Sequence, residues 1–125
     1  MNEVKVNKTK YPILGTGETV LICMEELHSD FFRLCNTFQS ALAKGEVPLM
    51  DVTGKIMYCF IKSANEDSFK SYKEFMKSIH KLSDFLDAKN AEAILAEITA
   101  IFLDDEELDK LTDDLSKKKK ETADL

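Results

Sequence analysis

The sequence predicts a mainly α-helical protein, in which a short N-terminal β-hairpin precedes a compact bundle of four to five helices and a flexible charged tail. Three observations predict this fold class. Apolar residues recur every three to four positions from about residue 18 to residue 102, which is the period of an amphipathic helix. Residues 3–14 instead alternate polar and apolar side chains, which is the period of a strand. Only four Gly and two Pro occur, fewer than the many tight turns of an all-β protein require.

The first element is the predicted β-hairpin. Val4 and Val6 alternate with charged residues, and Asn7-Lys8 offers a turn before the alternation resumes. Pro12 restricts the second strand to the edge of a sheet, because proline has no N–H to donate to a further strand. Two strands alone are marginally stable in water, so we expect the hairpin to pack on the helices.

Two helices are predicted between residues 18 and 45. The first runs from about Glu18 to His28, and the run Thr19 to Met24 within it is also compatible with a strand. The second begins after Ser29-Asp30, whose side chains can cap free N–H groups, and ends at Gly45. The apolar face of this second helix is predicted to hold Phe31, Leu34, Cys35, Phe38 and Leu42.

A third helix is predicted from about Met50 to Ala64, with Gly54 weakening its first turn. Its apolar stripe is predicted to hold Val52, Ile56, Cys59 and Phe60. Ser71 and Glu74 form a capping-box pattern that predicts the start of a fourth helix, which ends near Asp87. The stripe of that helix is predicted to hold Phe75, Ile79, Leu82 and Leu86.

The last helix of the body is predicted to begin at Asn90, whose side chain can cap it, with Glu92 in the first turn. Its buried face is predicted to hold Ala91, Ile94, Leu95, Ile98, Ile101 and Phe102. The composition changes after Leu103, since residues 104–125 hold nine acidic residues and five lysines and account for four of the six net negative charges. We therefore divide the chain into a hairpin-plus-helix domain, residues 1–103, and a charged tail, residues 104–125.

Composition excludes several classes of function. The net charge is −6, the pI is about 4.9 and the only arginine is Arg33, so we expect no nucleic-acid partner. The longest apolar run, Ile56 to Ile61, is too short to cross a membrane, so we expect no membrane partner. Three cysteines without paired spacing favour buried thiols in a reducing compartment, and the first residues are unlike a signal peptide. These patterns predict a cytoplasmic protein.

No residue pattern supports catalysis. Glu25 and His28 have the Glu-x-x-His spacing of di-iron bundles, but His80 lacks the corresponding glutamate of the required second copy. Gly15-Thr16-Gly17 lacks the remaining residues of a phosphate-binding loop, and Asp104 to Asp109 lacks those of a calcium loop. We therefore predict a protein that is not an enzyme and has no cofactor and no metal site.

The order of motifs resembles one known family. A hairpin from Val4 ends in Tyr11-Pro12 with a glycine nearby, and a helix pair leads to Ile56 to Ile61 with Lys62-Ser63-Ala64 after it. A Ser-x-x-Glu-Phe sequence at Ser71 then opens a further helix, and Ala91 to Phe102 forms the last one. Over residues 4–103 this order is similar to the tail assembly chaperones of long-tailed, siphovirus-type bacteriophages. Residues 15–18 depart from the family, in which a helix begins sooner after the hairpin.

The resemblance implies a function in virion morphogenesis. It implies that the chain binds the long, apolar tape measure protein and keeps it in solution before the tail tube polymerises. It also implies action in the cytoplasm of the infected bacterial host and absence from the mature virion. Family members are made in two lengths by ribosomal frameshifting, so the lysine run Lys117–Lys120 suggests a slippery site and a longer form that recruits the tail tube protein. A solubilising basic run explains the same lysines, and self-association stays open.

Candidate partner-binding residues follow from the apolar and aromatic side chains of the predicted helices and tail. They are Phe31, Phe38, Tyr58, Phe69, Tyr72, Leu108, Leu111 and Leu115. Core packing is the alternative role for the aromatic residues. The alternative function is a small acidic phage or bacterial inhibitor that mimics nucleic acid and blocks a host enzyme. Such an inhibitor would carry acidic residues over its whole folded body, whereas the acidic residues of this chain concentrate after Leu103. An enzyme would instead require a deep pocket with convergent polar groups.

Overall fold

The computed structural model describes residues 2–102, which form five α-helices, one 3-10 helix and a two-stranded antiparallel sheet. The elements are β1 Glu3–Val6, β2 Thr9–Pro12, α1 Gly17–Leu27, α2 Phe31–Ala43, α3 Met50–Ala64, α4 Tyr72–Ser78, the 3-10 helix Leu82–Leu86 and α5 Ala88–Phe102. The mainly helical class with an N-terminal hairpin is therefore confirmed. The predicted tail, residues 104–125, lies outside the described residues. No helix within residues 2–102 has the length and apolar character needed to cross a membrane.

The hairpin forms as predicted. Val6 pairs with Thr9, and the two residues between them, Asn7 and Lys8, have positive φ angles of 52° and 68°. Positive φ at both central residues matches the right-handed twist of the two strands. Val4 and Val6 are buried, so the alternation read from the sequence does separate a core face from a solvent face.

Helices α1 and α2 begin and end close to their predicted positions. Residues 17–27 are helical, so the strand considered for part of this segment does not form. The Asp30 side chain caps α2 by accepting a hydrogen bond from the Phe32 N–H at 3.0 Å. Gly45 follows α2 with a φ of 71°, a conformation that glycine adopts without a steric cost. Both signals are local, which is why the sequence alone located them.

Helix α3 has the predicted bounds but lies at the centre of the fold. It contacts α1, α2, α4, the 3-10 helix and β2, so nine of its fifteen residues are buried rather than one stripe of four. Gly54 explains how the surrounding elements come so close. A Cβ at this position would lie 3.0 Å from the Tyr72 hydroxyl oxygen and 3.2 Å from the Met76 sulfur. The glycine that weakens the first turn therefore permits close packing by α4.

The predicted fourth helix is broken, which corrects the stripe assigned to it. Helix α4 ends at Ser78, and the chain resumes as a 3-10 helix only at Leu82. Asn7 of the hairpin turn occupies the break, since its side-chain amide donates to the Ser78 carbonyl and its Oδ1 accepts the His80 N–H at 3.0 Å. The change of helical phase buries Phe85 and leaves Leu82 and Leu86 exposed.

Asn90 does not cap α5, contrary to the prediction. The helix begins at Ala88, and the Asp87 carboxylate accepts from the N–H groups of Lys89 and Asn90 at 2.8 and 3.2 Å. The Asn90 side chain is only 4% exposed. Its Oδ1 accepts the Lys5 N–H at 2.8 Å, and its Nδ2 donates to the Lys5 and Asp84 carbonyls at 2.9 Å each. The Asn90 amide therefore provides hydrogen-bond partners for the N–H and carbonyl of Lys5 at the outer edge of β1, as a further strand would.

A second buried polar residue of α5, Glu97, holds the other end of the hairpin. Its two carboxylate oxygens accept from the Asn2 side-chain amide and from the Gly15 N–H, each at 2.8 Å. A Cβ at Gly15 would lie 3.0 Å from the Ile101 Cβ and 3.1 Å from the Glu97 carbonyl oxygen, so a larger residue there would require α5 to shift. Asn90 and Glu97 together attach the hairpin to α5, and buried side chains of β1 and of all the helices form one hydrophobic core.

Candidate functional site

Three of the predicted partner-binding residues lie in the core. Phe31, Phe38 and Tyr58 are each at most 1% exposed. The Phe31 ring packs edge-on against Phe60 with 5.5 Å between centroids, and the Tyr58 hydroxyl donates to Glu26 at 2.9 Å. Burial, followed by this hydrogen bond, raises the pKa of Tyr58 far above its usual range. These three residues are therefore part of the hydrophobic core, which is the alternative role considered for the aromatic residues.

Phe69 and Tyr72 are half-buried at the edge of an aromatic cluster. Phe69 lies 5.5 Å from Tyr11 and 5.1 Å from Phe75, measured between ring centroids. The Tyr72 hydroxyl donates to Asp51 at 3.2 Å. Both side chains therefore already pack within the fold. The remaining predicted contacts, Leu108, Leu111 and Leu115, and the lysine run Lys117–Lys120 lie outside the described residues and stay predictions.

The structure instead exposes a set of large apolar side chains, two of which, Leu82 and Leu86, the sequence had assigned to a buried stripe. They are Leu21, Met24, Phe32, Val47, Leu49, Met50, Leu82 and Leu86. Val47 is 66% exposed and Leu86 is 50% exposed. These two residues open onto the same depression, which makes it different from a scatter of single exposed residues. The signal that could have found it is the apolar Val47-Pro48-Leu49 sequence directly after the Gly45 turn.

This depression, here called the apolar groove, has a volume of about 390 Å³. One wall is formed by the end of α2 and the loop after it, through Phe38, Leu42, Glu46, Val47 and Pro48. The other wall is formed by the end of the 3-10 helix and one face of α5, through Phe85, Leu86, Ala88, Ala91, Glu92 and Leu95. The α5 residues follow the i, i+3, i+4, i+7 spacing of a single helix face, so the groove runs along that helix.

The charges in the apolar groove are both negative. Glu46 lies on the loop wall and Glu92 on the α5 wall. Within residues 2–102 neither carboxylate forms a hydrogen bond or an ion pair, and the ion pair found there is Lys55 with Asp51 at 3.1 Å. Lys44 lines a neighbouring depression with Glu46 and does not line the groove. The groove therefore combines apolar walls with two carboxylates that can form ion pairs with positively charged groups of a partner.

A second depression, here called the polar cleft, lies on the other side of the 3-10 helix and has a volume of about 380 Å³. It is lined by Lys5, Asn7, Lys8, His80, Lys81, Asp84 and Asp87. The Asp84 carboxylate accepts the Asn7 N–H at 3.0 Å. Asn7 also bonds to Ser78 and His80, so Asn7 and Asp84 hold the hairpin turn against the break between the helices.

The three cysteines are buried and free, as the sequence predicted. The neighbouring Cys23 thiol and burial together raise the pKa of Cys59 far above its usual range. Burial raises the pKa of Cys35 to about 12. The raised pKa values keep the Cys35 and Cys59 thiols neutral, and a neutral buried thiol is a weak nucleophile. Among residues 2–102 no three His, Cys, Asp or Glu side chains are grouped so that they could hold a metal ion.

The two histidines are both exposed and are held by their backbones. His28 follows α1 with a positive φ of 51°, and its side chain lies near Met24 and Phe32 rather than beside a second Glu-x-x-His pair. His80 lines the polar cleft. The apolar groove thus remains the strongest candidate for a binding site. Comparison of the chain with protein-family models, with curated proteins and with solved structures found no match.

Proposed function

We propose that this chain is a tail assembly chaperone that binds the tape measure protein of a long-tailed bacteriophage and keeps it in solution until the tail tube polymerises. The observation that carries the proposal is the apolar groove, a depression in which the exposed side chains of Val47 and Leu86 lie together on a helical body. The resemblance of residues 4–103 to that family supplies the identity of the partner. The net charge of −6 supports it further, because like charges oppose aggregation of the complex.

The chemistry of the groove suits a chaperone that must later release its partner. A long apolar helix in water aggregates through its exposed surface, and a groove that covers part of this surface prevents such contacts. Full burial of a Val or Leu side chain contributes about 1.5–3 kcal/mol. One groove with a few such side chains therefore binds modestly, and several copies along a long partner would protect it while each copy could still be displaced by tube subunits.

The proposal extends to the assembly pathway. A longer product, made by frameshifting at Lys117–Lys120, would add a segment that recruits the tail tube protein. The chain would act in the cytoplasm of the infected host and would leave the complex as the tube replaces it. These steps rest on the family resemblance and on residues outside those that the structure describes.

Co-expression tests the proposal. The chain is expressed with the longest helical, tail-associated open reading frame of its genome, and the soluble fraction and co-purification of that product are measured. We expect the partner to become soluble and to co-purify, and we expect Val47→Asp with Leu86→Asp to abolish both effects. Leu21→Asp with Met24→Asp is the matched control, since both residues are exposed on α1 and do not line the groove. Absence of both solubility and complex with the wild-type chain contradicts the proposed function.

A further inference from the structure

We infer that the apolar groove selects a basic amphipathic helix, that is, a helix whose apolar stripe is flanked by lysine or arginine side chains. The inference deepens the proposed function and rests on it for the identity of the partner, because it states which segments of a long helical protein the groove would hold. It is argued from the shape of the groove, from the charges on its walls and from the charge of the rest of the chain.

The shape of the groove matches a helix. Ala88, Ala91 and Leu95 lie on one face of α5, and a helix rises 1.5 Å per residue, so this face extends over about 10 Å, or two turns. The two alanines let a second backbone approach closely. The opposite wall offers Leu42 and Val47, which can pack against side chains spaced three and four residues apart. An incoming amphipathic helix would therefore lie along α5 with its apolar stripe between the walls.

The charges on the walls specify the flanks of that helix. Glu46 and Glu92 lie on opposite walls, and within the described part of the chain neither carboxylate has a polar partner. A helix in the groove would place the residues beside its apolar stripe near these carboxylates. Lysine or arginine there would form ion pairs, which become stronger as the helix excludes water. Aspartate or glutamate there would be repelled on both sides.

The same charges disfavour two other occupants. Residues 104–125 contain nine acidic residues and five lysines, so this segment of the chain would bring like charge to Glu46 and Glu92. A second copy packed groove to groove would bring four carboxylates together without an intervening cation. The groove therefore suits a basic helix of another protein better than it suits residues 104–125 or the groove of a second copy of this chain.

Two synthetic peptides of about 15 residues test the inference with the full chain. Both carry the same leucine stripe at i, i+3, i+4 and i+7, and they differ only in having lysines or glutamates beside it. Affinity is measured by fluorescence anisotropy at low and high salt. We expect the lysine peptide to bind about tenfold more tightly than the glutamate peptide, because it gains two partly exposed ion pairs and avoids two like-charge contacts. This preference should shrink at high salt.

Matched variants separate the groove from the general negative charge of the protein. Glu46→Gln with Glu92→Gln should remove the preference for the lysine peptide. Glu18→Gln with Glu25→Gln makes the same change of charge on α1 and should retain it, since these residues do not line the groove. Val47→Ser with Leu86→Ser should weaken binding of both peptides, and circular dichroism of each variant checks that the fold is kept.

Three outcomes overturn the inference: equal affinity for the two peptides, a preference that survives Glu46→Gln with Glu92→Gln, or a preference that the α1 variant removes equally. The proposed function fails separately. A tape measure protein that stays insoluble while peptide binding depends on the groove refutes the chaperone role alone. A tape measure protein that is rescued equally by wild type and by Glu46→Gln with Glu92→Gln refutes the selection of basic helices alone.

Discussion

The 3-10 helix Leu82–Leu86 separates two depressions of nearly equal volume, the polar cleft of about 380 Å³ and the apolar groove of about 390 Å³. The two depressions differ in whether their polar side chains already have hydrogen-bond partners within the fold. In the polar cleft, Asn7 and Asp84 bond to each other and to neighbouring backbone groups, which fixes the hairpin to the helices. In the apolar groove, Glu46 and Glu92 have no such partners among residues 2–102.

This difference shows that the volume of a depression does not identify a binding site. A ligand in the polar cleft would compete with hydrogen bonds that hold the fold, and breaking one of them leaves a polar group without a partner. A ligand in the apolar groove would cover exposed apolar side chains and give the carboxylates a partner. Substitutions around the cleft should therefore change stability, whereas substitutions in the groove should change binding.

The largest expected effect is at Asn90, whose side chain bonds to the backbone of two residues of the polar cleft, Lys5 and Asp84. Asn90→Ala removes three hydrogen bonds and leaves the N–H and carbonyl of Lys5 without their partner. We expect the free energy of unfolding to fall by about 2–4 kcal/mol, measured by urea denaturation. Lys89→Ala, at the exposed neighbouring position, should change it by less than about 0.5 kcal/mol. If Asn90→Ala lowered the free energy of unfolding no more than Lys89→Ala, the hydrogen bonds around the polar cleft would not be the ones that stabilise the fold.

A smaller effect of opposite sign is expected at Lys8, which lines the polar cleft with a φ of 68°. Lys8→Gly relieves a conformation that is unfavourable for a residue with a Cβ, so it should raise the midpoint of urea unfolding and stabilise by about 1 kcal/mol. Lys10→Gly removes the same charge from β2, where glycine weakens a strand, and should destabilise. Peptide binding should be unchanged in both variants. A loss of binding in Lys8→Gly would assign the cleft a role in partner recognition.

The smallest expected effect on stability is in the apolar groove. Val47 is 66% exposed, so Val47→Ser should change the free energy of unfolding by less than about 0.5 kcal/mol. The same variant should nevertheless weaken binding of the lysine peptide, because the side chain would be buried only in the complex. Calorimetric unfolding and peptide titration of one preparation measure both quantities. A clear loss of stability without a loss of binding would mean that Val47 supports the fold instead.

Local sequence signals predicted most of the elements. The Asn7-Lys8 turn, the Asp30 cap, the Gly45 turn and the bounds of α3 depend on residues close in the chain, and the structure confirms each of them. Of the predicted partner-binding residues, Phe31, Phe38 and Tyr58 are core residues in the structure. Periodicity identifies which face of a helix is apolar but does not tell whether a partner protein or the same chain covers it.

Two decisions belonged to tertiary structure alone. The residues around Asn90 in the sequence predict that its side chain caps a helix. The side chain instead bonds to the outer edge of β1, because α5 packs beside a strand that lies 85 residues earlier in the chain. Leu86 continues an apolar stripe in the sequence, but Asn7 ends α4 after Ser78, and the new phase exposes Leu86 to solvent. Helical class, charge and turn positions follow from interactions within a few residues. The groove does not, because it exists only where elements distant in the chain fail to close over an apolar surface.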